Sequence, residues 1–259
     1  MTVNKQISII LPSYNDPRIA NAIQSIRCFD DIETVRIVVI DGNSSDEIKH
    51  LIRDALSKED IFISEADKGI FDALNKGLAI CNTKFIGWLG SDDMFTGKVP
   101  ASKVVDALAN CDLFIANVAF FRNNYITRIT HALPSRLGMT NFGLHNPHYA
   151  TFGLATLLKS EKFKLGLRSS DIEYFIKIFN KKPRVTSLNV VATLQGEGGF
   201  SNSSYKSILR TNLELISVYT QYTNRFLGVV AVMIKLGYKL ISRVYYVVFK
   251  VKLDRYVRI

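Results

Sequence analysis

Four short apolar runs punctuate the first third of the chain at regular intervals. Ile7–Leu11, Val35–Ile40, Ile61–Ile63 and Phe85–Leu89 are each the length of a buried strand. Their polar positions are few, which predicts strands covered on both faces. The segments between them switch to helical spacing. Ile19, Ala22, Ile23 and Ile26 share one face of a helix opened by Asp16-Pro17. Ile48, Leu51, Ile52 and Ala55 share one face of the next, with Ser44-x-x-Glu47 as a capping box. Ile70, Phe71, Leu74 and Leu78 define a third. This β-α alternation predicts a mostly parallel, Rossmann-like α/β sheet flanked by helices. Ligands then bind beyond the carboxyl ends of the strands, where Asn15, Asp41, Asp67 and Asp92 all fall.

After residue 93 the pattern changes. Residues 100–109 read as a helix, and Asp112–Phe121 with Tyr125–His131 as a hairpin around Arg122-Asn-Asn124. Ser169-Ser-Asp171 caps a helix with Ile172, Phe175, Ile176 and Phe179 as its buried stripe, and Val185–Leu194 is a strand. From about residue 205 the chain is helical in pattern. The longest uncharged run there, Phe226–Ile234, is too short for a membrane span.

The strongest chemical signal is Gly90-Ser91-Asp92-Asp93. Adjacent carboxylates at the end of a buried strand repel unless a cation lies between them, and oxygen ligands suit Mg²⁺ or Mn²⁺ with a substrate phosphate. The competing reading is a polar turn with Asp93 as the cap of the next helix. Asp171 has the same ambiguity between an N-cap and a site carboxylate, and Asp72 with Lys76 reads equally as an ion pair on a solvated helix face. Neither GxGxxG nor a P-loop follows the first strand.

Charge alters the picture mainly at the end of the chain. The net charge is +10, yet residues 203–259 hold ten basic residues against Glu214 and Asp254, so the first 202 are close to neutral. That argues against a nucleic-acid-binding body. Lys235, Lys239 and Arg243 share one face of a largely apolar helix, a pattern suited to an anionic membrane surface through residues 225–250, or else to a docked helix with its charged face in water. Three separated cysteines and a polar start predict a cytoplasmic protein, peripheral on the inner face of the membrane.

Taken together, Ile10-Leu-Pro-Ser-Tyr-Asn15, Val39-Ile-Asp-Gly-Asn-Ser-Ser-Asp46, Ser64-Glu-Ala-Asp-Lys-Gly-Ile-Phe-Asp-Ala-Leu-Asn-Lys-Gly77 and Ile86-Gly-Trp-Leu-Gly-Ser-Asp-Asp93 carry a family resemblance, with His148–Phe152, Ser170–Phe175 and Gly198–Asn202 further on. The chain resembles the inverting, metal-dependent family 2 glycosyltransferases of GT-A fold, and within them the bacterial enzymes of O-antigen, capsule and colanic acid synthesis. The resemblance covers about residues 6–202. It implies a glycosyltransferase domain over 1–202, with a nucleotide-sugar half (1–93) and an acceptor half (94–202), followed by a helical membrane-associating region (203–259). It implies that Pro12, Ser13, Asn15, Asp41, Asp67, Lys68, Asp72, Asn75, Lys76, Ser91 and Asp92 bind a nucleotide-sugar, a UDP-sugar by preference. It also implies that Asp93, with His148, holds Mn²⁺ or Mg²⁺, and that Asp171 is the general base. The acceptor implied is a lipid-linked saccharide, and a homo-oligomer is left open. Gly90 and Gly153 stand where the family often has larger or polar residues. The competing class is a non-catalytic nucleotide-sugar-binding scaffold of the same fold.

Overall fold

A computed structural model describes residues 5–132, 148–196, 205–249 and 251–253. Strands β1 (Ile7–Ser13), β2 (Val35–Asp41), β3 (Ile61–Ser64) and β4 (Phe85–Trp88) form the parallel half of one nine-stranded sheet. Helices α1 (Ile19–Phe29), α2 (Asp46–Ala55) and α3 (Ile70–Ile80) connect them. Beyond β4 the sheet becomes mixed: its order is β3-β2-β1-β4-β8-β6-β9-β5, with β7 paired to β6. These added strands are β5 (Asp93–Phe95), β6 (Leu113–Arg122), β7 (Tyr125–Thr130), β8 (Thr151–Leu154) and β9 (Val185–Gly196). β8 runs antiparallel to both neighbours, whereas β6 and β9 are parallel to one another.

Alternation along the central strands divides the core into two layers. Ile7, Ile9 and Leu11 with Val35, Ile37 and Val39 pack under α1, α2 and α4 (Ala101–Leu108). Ile10, Val38, Ile40, Ile86 and Trp88 point the other way, against α3, α5 (Ala155–Leu158) and α6 (Ser170–Asn180). Trp88 anchors the second layer, edge-on to Phe163 and Tyr174, and the Tyr174 hydroxyl donates to the Leu158 carbonyl at 2.6 Å. α6 buries more than the expected stripe, because Ile176 turns toward the C-terminal helices while Tyr174, Phe175 and Ile178 face the sheet.

Two predicted caps take other forms. The Ser44 hydroxyl donates to Asp41 instead of closing a capping box, and α2 begins at Asp46. The Asp16 carboxylate accepts from the Arg18 amide, and the helix proper starts at Ile19.

The C-terminal helices α7 (Tyr205–Tyr222) and α8 (Arg225–Phe249) pack on each other, and Leu215, Val218, Tyr219, Ala231 and Val232 enclose Ile176 of α6. α8 then crosses β7, where the Tyr238 hydroxyl donates to the Ile129 carbonyl at 3.3 Å. The chain after α8 returns to the sheet. The Ile126 amide donates to the Val251 carbonyl at 2.8 Å, and the Leu253 amide to the Asn124 carbonyl at 2.9 Å, which covers the outer edge of β7.

The docked helix does not present the expected basic stripe to solvent. Lys235 and Lys239 are half-buried and only Arg243 is exposed. The outward face is instead apolar, with Phe226, Met233, Leu240, Ile241, Val244 and Val248 all exposed. Periodicity places the three cations together but cannot say which side of the helix meets the body. Among the described residues no helix is long and apolar enough to cross a membrane.

Candidate active site

Register brings the polar strand ends into line. Ser13 lies beside Asp41, and Asp41 beside Ser64, so β1, β2 and β3 finish at one edge. Asp41 is fully buried and ties this edge together. Its carboxylate accepts from the Ser44 amide at 2.9 Å, the Ser64 hydroxyl at 2.7 Å and the Ser44 hydroxyl. The Ser44 oxygen in turn accepts from the Asn15 amide at 2.8 Å, and the Asn15 side chain accepts from the Ser45 amide at 2.8 Å. Asn15 sits at φ 48°, a left-handed turn that asparagine tolerates, and this turns the chain sharply away from β1.

The second group follows β3. Asp67 lies against Gly42, where a Cβ would approach its Oδ2 to 2.9 Å, so Gly42 admits the carboxylate to the β2 end. Lys68 is exposed, and its amide donates to Asp72 Oδ2 at 3.0 Å. Lys76 pairs with Glu65 at 2.7 Å, closer than its 3.8 Å approach to Asp72. The Glu65 hydrogen bond is the main cause of the raised Lys76 pKa.

Several expected ligand contacts turn out to serve the frame. Pro12 is buried within β1, and Asp41 has no exposed surface with which to meet a base directly. Asn75 has both ends of its amide on the Phe163 backbone, at 2.8 and 2.9 Å, where it clamps α3 to the loop before α6. Ser13 keeps a buried hydroxyl with no hydrogen-bond partner at the end of β1.

The third group carries the charge. Asp93 begins β5 and is 1% exposed, yet neither carboxylate oxygen has a hydrogen-bond partner. Burial, and then the neighbouring Asp92, raise its pKa well above the usual carboxylate value. Gly90 makes the space: a Cβ there would come within 2.5 Å of Asp93 Oδ2. This explains a glycine at a position that is often larger in the family. Asp92 is half-exposed, 3.6 Å from the guanidinium of Arg18. Arg18 also holds Asp16 at 2.7 Å, and Ser91 donates to the same Asp16 carboxylate at 3.3 Å. Burial works to raise the Asp16 pKa, but the Arg18 hydrogen bonds outweigh it and the net shift is downward.

A buried carboxylate with two unpartnered oxygens, beside a second carboxylate, fits a divalent cation. Among the described residues no group of three or more His, Cys, Asp and Glu gathers around one point. The donor set therefore suits an ion that takes its remaining ligands from phosphate and water, as Mg²⁺ and Mn²⁺ do.

Asp171 lies in the first turn of α6, and His148 Nδ1 is 3.5 Å from its Oδ2. The resemblance places His148 near the metal or the acceptor, and in the structure it is the neighbour of Asp171. Burial lowers its pKa, with Asp171 opposing. Tyr149 follows His148, and its phenol pKa is raised by burial first and then by the charges of Asp93, Asp171 and Asp92. His145 and the segment 198–202 lie outside the described residues.

Sequence reasoning missed Arg18, Asp16 and Tyr149. The signal for Arg18 was available: a pair of acids at one sheet edge calls for a cation from a neighbouring strand end, and Arg18 follows β1.

The profile of glycosyl transferase family 2 matches residues 8–175. The chain belongs to this family. Among curated relatives, an uncharacterised glycosyltransferase of Mycobacterium tuberculosis is 29% identical over 110 residues, an alignment covering 42% of this chain and 42% of that protein. The chain thus matches less than half the length of this relative. Staphylococcus aureus TarS solved with UDP-GlcNAc superposes with a TM-score of 0.59 at 17% identity, covering 96% of this chain and 77% of that one. The mannosyltransferase PcManGT of Pyrobaculum calidifontis, solved with GDP-Man and Mn²⁺, gives 0.62 at 16% identity, covering 96% and 75%. These likenesses show a shared GT-A-type fold, with family 2 membership resting on the sequence match.

Proposed function

We propose that this family 2 chain is a metal-dependent inverting glycosyltransferase that moves a sugar from a UDP-sugar to a lipid-linked saccharide, in the synthesis of bacterial surface polysaccharide. The observation that carries the reading is the Asp93 carboxylate, buried and unpartnered just beyond the end of β4. Asp93, with Asp92 beside it, would hold Mn²⁺ or Mg²⁺. Such an ion offsets charge on the departing diphosphate.

The remaining roles belong to the chain. Arg18 is placed to exchange a carboxylate for a phosphate oxygen, since it already shares its charge between Asp16 and Asp92. Ser13, Asn15, Asp67, Lys68 and Ser91 border the nucleotide side. Asp171 accepts the proton of the acceptor hydroxyl as that oxygen attacks the anomeric carbon from the face opposite the diphosphate. His148 steadies the Asp171 carboxylate. In this reading residues 1–93 serve the donor and 94–202 the acceptor.

Thermal unfolding with a nucleotide panel tests the donor and the metal. UDP at about 100 times its Kd, with Mn²⁺, should stabilise the protein by about 2.7 kcal/mol. That corresponds to roughly 5–10 °C. Equal stabilisation in EDTA would remove the metal, and a larger effect of GDP would remove uridine.

The apolar face of α8 supports a seat on the cytoplasmic side of a membrane, with the basic C-terminal region drawn to anionic lipid. Each buried leucine-sized side chain is worth about 1.5–3 kcal/mol. Leu240→Glu with Ile241→Glu should therefore lower co-sedimentation with phosphatidylglycerol vesicles at least tenfold. Unchanged sedimentation would rule this face out as the membrane contact.

A further inference from the structure

Asn75 holds a part of the frame that leads to Asp171. Its helix, α3, starts on the nucleotide side. The Gly69 amide donates to Asp67 Oδ1 at 2.8 Å, and the Lys68 amide to Asp72 Oδ2 at 3.0 Å. Gly77 lets α3 lie flush on β1, because any Cβ there would collide with Ile10. From the middle of this fixed helix Asn75 reaches a residue 88 positions further along the chain. Its amide nitrogen donates to the Phe163 carbonyl at 2.8 Å, and its amide oxygen accepts from the Phe163 amide at 2.9 Å. Phe71 of the same helix stacks on the Phe163 ring, with centroids 5.6 Å apart.

The start of α6 depends on that loop. Ser169 occupies the N-cap position but makes no side-chain cap hydrogen bond, and its hydroxyl is buried without a partner. A helix end without its own cap needs other partners to fix it. Here the first turn is gripped from outside. The Lys164 amide donates to the Ser170 hydroxyl at 2.6 Å, and Tyr174 stacks on Phe163 with centroids 4.1 Å apart. Ser170 directly precedes Asp171. A short run of contacts therefore joins Asn75 to Asp171 through Phe163, Lys164 and Ser170.

We propose that Asn75 is a positioning residue for sugar transfer: by fixing Phe163 to α3 it sets the first turn of α6, and with it the Asp171 carboxylate, relative to the nucleotide side. The proposal rests on the reading of Asp171 as the base and deepens it. Asn75 itself needs no contact with donor or acceptor. A misplacement of about 1 Å in such an arrangement can cost about a hundredfold in rate.

NMR of the histidine rings in the full chain tests this without turnover, because His148 lies 3.5 Å from Asp171 and senses where that carboxylate stands. In protein labelled with ¹⁵N-histidine, His148→Gln assigns the signal and Asp171→Asn supplies the reference shift. Asn75→Ala and Ser170→Ala should each move the His148 signals toward the Asp171→Asn position. His50, on α2 in the other layer, should stay where it is. In transfer of radiolabelled sugar onto membrane lipid extract, each variant should lose about tenfold or more in kcat with UDP affinity unchanged. The double variant should fall no further than the worse single one, since both break the same run of contacts. A role in stability alone would lower the melting temperature and leave the His148 signals and kcat of the folded protein unmoved. Ser170→Ala removes only a hydroxyl and reports independently if Asn75→Ala folds poorly. Wild-type His148 signals in both variants, or fully additive losses in kcat, overturn the proposal. If turnover survives Asp171→Asn while the His148 signals still follow both alanine variants, the reading of Asp171 as base falls and its placement by Asn75 stands.

Discussion

Asp93→Asn is expected to abolish Mn²⁺-dependent UDP binding and, in the metal-free protein, to raise the melting temperature. The two effects share one cause. Asp93 is buried with no hydrogen-bond donor on either oxygen, so its charge is stable only when a cation is present. Leaving a buried polar group unsatisfied costs about 1–3 kcal/mol. The amide removes that charge and should recover a share of this cost, a gain of a few degrees. It also removes the anionic ligand, and UDP affinity in Mn²⁺ should fall at least a hundredfold, to the level of wild type in EDTA. The pH dependence supplies a second check. The folded protein holds the Asp93 proton more tightly than the unfolded chain, whose value is near 3.8. Metal-free stability must therefore decline as pH rises from that value through the raised folded one. The decline should be missing in Asp93→Asn. An asparagine variant that is less stable than wild type, or that still binds UDP through Mn²⁺, would dismiss Asp93 as the metal ligand.

Asp171→Asn should separate binding from turnover. Asp171 lies in the first turn of α6, and the contact partner of its carboxylate is His148. UDP affinity should stay within twofold. Transfer of radiolabelled sugar onto membrane lipid extract should fall by about 10²–10⁴-fold, the range for loss of a general base. The fall should appear in kcat, because the group acts as the acceptor oxygen attacks. His148→Ala should give a smaller loss, since the carboxylate survives without its neighbour. Wild-type turnover in Asp171→Asn would transfer the role of base to another group.

The parallel half of the sheet was legible because local patterning determines it. Apolar runs of strand length alternated with helical stripes, and β1 to β4 follow them within a residue or two. The mixed half was harder for a physical reason. β5 and β8 have three and four residues, too short to stand out from their flanks. Their pairing with β9 and β6 is set by contacts across long stretches of chain. Ser44 shows how a correct motif can be put to another use. Its hydroxyl had a helix amide within reach in sequence, but a buried carboxylate offered a stronger partner. The acids at the site were readable from their order along the chain. The facing of Lys235 and Lys239 was not, because charge signs can be read locally whereas the direction a cation faces depends on which surface its element packs against.

The segment 251–253 after α8 gives this helix an unusual constraint. α7 secures its beginning, and backbone hydrogen bonds from Val251 and Leu253 to the β6–β7 hairpin secure its end. A helix stitched down at both ends cannot lift like a hinged flap. Whatever meets its apolar side therefore meets the rest of the protein in one fixed orientation, not through a flexible leash.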